Sequence, residues 1–74
     1  MERYSNRSKQ SGVTAYMLGK DFIVIRFADG GTYTYTYARP GRRHVENMKK
    51  LARAGKGLAT YINKYVRENF AKHN

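Results

Sequence analysis

The sequence predicts an α+β fold, a three-stranded antiparallel β-meander followed by two α-helices packed on one face of the sheet. Three observations predict it. Apolar residues alternate with period two through much of residues 13–38. Glycine-rich turns break that stretch into hairpin-sized pieces. After Pro40-Gly41 the apolar spacing changes to that of a helix and stays so as far as Phe70.

Each element has its own signal. Val13 to Leu18 reads as a short strand, and Gly19-Lys20-Asp21 as a turn. Phe22 to Ala28 is the clearest strand, with Ile23, Ile25 and Phe27 alternating with Phe22, Val24 and Arg26. Asp29-Gly30-Gly31 tolerates positive φ and predicts a hairpin. Thr32 to Ala38 is rich in residues that fit a pleated sheet, and Pro40-Gly41 ends it. From Arg42 to Ala54, Val45, Met48, Leu51 and Ala52 fall at helical spacing, and Gly55 suits the C′ position. From Leu58 to Phe70 a wide stripe of Leu58, Tyr61, Ile62, Tyr65, Val66 and Phe70 predicts a second amphipathic helix. Strands followed by helices indicate α+β. Residues 1–11 lack periodicity and read as a flexible basic arm, 12–71 as a single domain, and 72–74 as a tail.

The register of the second hairpin decides the role of Tyr33, Tyr35 and Tyr37, which share one face of their strand. A three-residue loop places them with Ile23, Ile25 and Phe27. A two-residue loop places them with Phe22, Val24 and Arg26. The first register is preferred. It makes one face apolar, leaves Thr32, Thr34, Thr36 and Arg26 on the other, and fits a type I turn with a Gly bulge. The second would expose an aromatic ladder on which bases could stack.

Composition narrows the function. A chain of 74 residues is one domain near the lower size limit. It has no cysteine, so neither a disulfide nor a thiolate zinc site can brace it. Stability must come from its seven Tyr and three Phe, from tight turns, or from self-association. The lack of cysteine fits a reducing cytoplasm. The longest apolar run, Phe22 to Ile25, is far too short to span a bilayer, so a soluble cytoplasmic protein without membrane insertion is expected. Fifteen Lys and Arg against five Asp and Glu leave a net charge of +10. Self-repulsion of that size is relieved by a polyanionic partner, nucleic acid first.

Several motifs in this order resemble the KTSC domain, a module named for its occurrence at the C-terminus of some lysyl-tRNA synthetases and also found alone in small bacterial proteins. They are Ala15-Tyr16, the Ile-x-Ile-x-Phe strand at Ile23, Ile25 and Phe27, the Gly-Gly turn, Tyr33-x-Tyr35, Pro40, and Gly-Lys-Gly-Leu at 55–58 leading into Tyr61-Ile62-Asn63. The resemblance runs from about Ser11 to Phe70. Tyr37 adds a third tyrosine to the usual pair, and Ala59 stands where family members often carry Asn, so a role for that Asn is not transferred. The resemblance implies an RNA-binding role by association with the synthetases, which favours RNA over DNA.

The candidate nucleic-acid-binding residues are Arg42, Arg43, Lys49, Lys50, Arg53 and Lys56 along the first helix, with Arg26 and Arg39 beside the tyrosines. Glu46 is the one acid among the helical cations, and an ion pair on the helix surface is its simplest role. Gly55-Lys56-Gly57 at the start of the second helix is a candidate phosphate-binding turn, although it lacks P-loop spacing. Tyr33, Tyr35 and Tyr37 are candidate stacking rings. His44 and His73 are far apart in sequence and no cysteine is present, so no catalytic residue, metal or cofactor is expected, and no small-molecule substrate. The alternative to nucleic acid is a protein partner or a homodimer, joined through an open sheet edge or residual apolar surface.

Overall fold

A computed structural model describes residues 1–5 and 12–73. Its elements are β1 (Glu2–Arg3), β2 (Val13–Leu18), β3 (Phe22–Phe27), β4 (Thr32–Thr36), α1 (Arg42–Ala54), α2 (Leu58–Tyr61), a π-helical segment (Ile62–Val66) and β5 (Lys72–His73). The strands form one antiparallel sheet in the order β1-β2-β3-β4-β5. The class is α+β, but the sheet has five strands among the described residues, not three.

The two added strands are two residues each, too short to carry a periodic signal. Aromatic anchoring next to each accounts for them. Tyr4 is buried beside β1 and meets Tyr16 edge-on, with ring centroids 6.5 Å apart. At the other end His73 stacks on Tyr33 at 4.0 Å. The basic arm expected over 1–11 is therefore a paired strand at Glu2–Arg3, and part of the expected tail is paired at Lys72–His73. Residues 6–11 of that arm lie outside the described residues.

The β3–β4 hairpin adopts the three-residue loop. Ile23 pairs with Tyr35 and Ile25 with Tyr33. The Phe27 N–H donates to the Gly31 carbonyl and the Gly30 N–H to the Phe27 carbonyl, both at 2.9 Å. Gly30 has φ 91°, and the Asp29 carboxylate accepts the Gly31 N–H at 2.8 Å. That is a type I turn closed by a glycine bulge, which fixes odd positions opposite odd ones. A second irregularity serves β2. Its register shifts between Val13 and Ala15, so one extra residue sits against β3. Val13 and Tyr16 have opposite parity, yet both are buried in the core because the bulge turns the strand over between them.

The sheet contributes Tyr16, Ile23, Ile25 and Tyr35 to a core completed by Val45, Met48 and Ala52 of α1 and by Leu58, Ile62 and Val66. The second helix differs from expectation. It is one α-turn followed by a π-helical segment, and it ends at Val66 instead of Phe70. In an i→i+5 turn each residue advances by a smaller angle than in an α-helix. Val66 therefore stays over Ile62 in the core, while Tyr65 falls to the side and is 56% exposed. The chain then reverses. Arg67 has φ 51° and ψ −120°, and the Asn69 N–H donates to the Val66 carbonyl at 3.0 Å. This turn brings Phe70 back against Tyr33 at 4.9 Å. Among the described residues, no helix is long and apolar enough to cross a membrane.

Two substitutions at positive φ should act in opposite directions. Gly30→Ala meets no atom within 4 Å, so its cost of about 1 kcal/mol is conformational alone. Arg67→Gly should stabilise by about 0.5–1 kcal/mol, because relief of strain outweighs the added freedom of the unfolded chain. Urea midpoints at unchanged m-value report both.

Candidate nucleic-acid interface

The structure does not leave Tyr33, Tyr35 and Tyr37 free as a stacking platform. Tyr35 is 1% exposed. Tyr33 is enclosed by Phe27 and Phe70 edge-on and by His73 face-on. Tyr37 is half-buried, donates its hydroxyl proton to the Glu46 carboxylate at 2.6 Å, and has the Arg42 and Lys49 cations each 5.6 Å from its ring centroid. These rings hold the sheet to what covers it. Of the motif residues behind the KTSC resemblance, Tyr16, Ile23, Ile25, Tyr35, Leu58 and Ile62 are core, whereas Lys56, Gly57 and Asn63 are exposed.

The α1 cations divide into two sets. Arg42, Arg43, Lys50 and Arg53 are exposed, as is Lys56 just beyond the helix. Lys49, expected on the phosphate-binding face, is only 7% exposed. It lies next to the Val45/Met48/Ala52 stripe, so its stem is covered and its ammonium is held. That ammonium donates to the Lys20 carbonyl at 3.0 Å and pairs with Glu46 at 3.0 Å. Glu46 thus has the ion-pair role expected of it, with Tyr37 as a second partner. Arg26 is exposed, but its register places it with Thr32 and Thr34 on the sheet face away from the core. Arg39 is exposed at the turn after β4, where its Nε donates to Asn69 at 2.7 Å.

Two N–H groups at the Gly55-Lys56-Gly57 turn, those of Gly55 and Leu58, are already engaged within the fold. Gly55 is buried, and its N–H caps α1 by bonding to the Leu51 and Ala52 carbonyls. The Leu58 N–H, the first of α2, donates to the buried Tyr4 hydroxyl at 3.2 Å. Lys56 remains exposed as a cation on the corner.

Beside Arg43 lies a recess of about 430 Å³, lined by Arg43, His44, Asn47, Tyr61 and Tyr65. Its floor is organised by the Tyr61 hydroxyl, which lies 2.7 Å from His44 Nδ1 and accepts from Asn47 Nδ2 at 3.1 Å. Tyr65 leans on Tyr61 with centroids 4.9 Å apart and a 47° tilt, and Lys64 is 5.5 Å from the Tyr65 centroid. Sequence spacing assigns Tyr65 to a buried stripe. Only the π-helical turn moves it out, and nothing in the residues themselves announces that turn. Among the described residues, no cluster of three His, Asp or Glu could hold a metal ion.

No protein-family model, curated protein or solved structure matches this chain.

Three ionisable groups report on the packing. The Tyr37 hydrogen bond, with Lys49 behind it, holds the Glu46 carboxyl below its usual value of 4.5. The same bond raises Tyr37. Burial pushes Tyr35 up to about 12. Glu46 therefore stabilises the fold fully above about pH 4.5 and loses that contribution as pH falls through its lowered value. The tyrosines stabilise it fully below pH 10 and lose that contribution as pH rises, Tyr35 toward about 12. Tyr37→Phe should return the Glu46 carboxyl toward its ordinary value in a carbon-detected NMR titration. An unmoved Glu46 would mean that Tyr37 is not the cause.

Proposed function

We propose that this chain is a small basic nucleic-acid-binding module, acting on RNA in preference to DNA, that seats phosphates on the outer surface of α1. One observation carries the reading. Arg42, Arg43, Lys50, Arg53 and Lys56 are exposed together, and the one carboxylate on that helix, Glu46, is already engaged by Tyr37 and Lys49. Positive charge on this face is thus left uncompensated within its own element, and phosphate oxygens are the natural complement. A net charge of +10 supports the same reading. The KTSC resemblance supports RNA over DNA, because it points to a module associated with tRNA synthetases. Contacts of this kind position a backbone and carry no sequence information of their own.

Binding of a labelled RNA, followed by anisotropy over a range of salt, tests the reading. With five phosphates neutralised, log K should fall against log salt with a slope of about −3.5 for a single strand. The double variant Lys50→Ala/Arg53→Ala should weaken binding and flatten that slope by about 1.4. A salt-independent affinity, or no binding at low salt, would overturn it. Competition by DNA of the same sequence should require a higher concentration than competition by unlabelled RNA.

A further inference from the structure

The recess between α1 and the π-helical segment has features that phosphate binding does not require. Tyr65 is a large aromatic ring, 56% exposed, beside a basic helix. Its neighbours Arg43 and Lys64 are exposed cations. The recess wall carries an imidazole and a carboxamide, both oriented by the Tyr61 hydroxyl. A volume of about 430 Å³ falls in the range of small-ligand sites, about 300–1,000 Å³. An aromatic face, a polar wall and flanking cations are the parts needed to hold an unstacked base.

We propose that this recess takes one splayed-out base of a single-stranded RNA, stacked on Tyr65, with the adjoining phosphates on Arg43 and Lys64. The proposal rests on the nucleic-acid reading of α1 and names the form of RNA that this surface prefers. Geometry limits the site to one base. Tyr61 and Tyr65 are already in contact at 4.9 Å, so nothing enters between them, and the base must lie on the remaining surface of Tyr65. Lys64, 5.5 Å from the Tyr65 centroid, is the group such a base displaces. An exposed lysine–ring contact is weaker than base stacking, and the freed ammonium stays within reach of the backbone phosphate. His44 and Asn47 then face the edge of the base. A base inside a duplex is paired and stacked on both sides and cannot reach the recess.

The test compares the full chain with Tyr65→Ala, Tyr65→Phe and Lys50→Ala. The probes are a short single-stranded RNA of mixed sequence and the same RNA as a duplex. Tyr65→Ala should weaken single-strand binding roughly tenfold with the salt slope unchanged, and shift duplex binding by less than about twofold. Tyr65→Phe should bind as the parent does. Lys50→Ala should weaken both probes and flatten both slopes. Circular dichroism and the melting temperature confirm folding, which truncation of a side chain this exposed should preserve. If Tyr65→Ala leaves single-strand binding intact, or weakens both probes equally, the base site is overturned while the α1 reading stands. If neither RNA binds the parent protein, both are overturned.

Discussion

One pairing governs the rest of the molecule: Ile23 opposite Tyr35, with Ile25 opposite Tyr33. Side chains alternate strictly along a strand, so a slip of one residue would send Tyr33 and Tyr35 to the opposite face together. Ile23 and Ile25 would then lose their aromatic partners, and α1 would lose the part of its apolar bed that Tyr35 supplies. A domain this small has little stability to lose. The loop from Ala28 to Gly30 holds the pairing in place through the Gly30 conformation and the Asp29–Gly31 hydrogen bond. The apolar bed beneath α1, and so the position of the cations on it, depends on this turn.

Once the tyrosine face is core, aromatic rings for binding must come from elsewhere. A regular α-helix from Leu58 onward would direct Tyr65 toward the interior with Tyr61 and Ile62. The π-helical turn divides these roles. Ile62 and Val66 stay buried, Tyr61 is half-buried and orients His44 and Asn47 with its hydroxyl, and Tyr65 emerges beside the cations. A local change of helical pitch thus gives an amphipathic segment both a core and an aromatic surface. Arg67 ends the segment at positive φ and sends Phe70 back to the sheet.

The strongly patterned parts of the fold are legible in the sequence. The alternation at Ile23, Ile25 and Phe27, the Asp-Gly-Gly turn, and the Val45/Met48/Ala52 stripe each lead to the element observed. What escapes is set by other physics. β1 and β5 are edge pairings formed by tails whose aromatic residues find pockets, and two residues carry no period. The bulge in β2 reverses parity between Val13 and Tyr16, so simple alternation misassigns one of them. Lys49 looks like a surface cation because residue type says nothing about a carbonyl arriving from Lys20, far away in sequence. For the candidate interface, the exposed cations of α1 are readable from charge and spacing. The recess is not, because Tyr65 leaves its stripe only through the π-helical turn.

The hydrogen bond between the Leu58 N–H and the Tyr4 hydroxyl joins residues 54 apart in sequence. The N-terminal end of α2 therefore depends on more than its own residues. Its first N–H is satisfied by a side chain from beside β1, and that side chain is itself buried in the core.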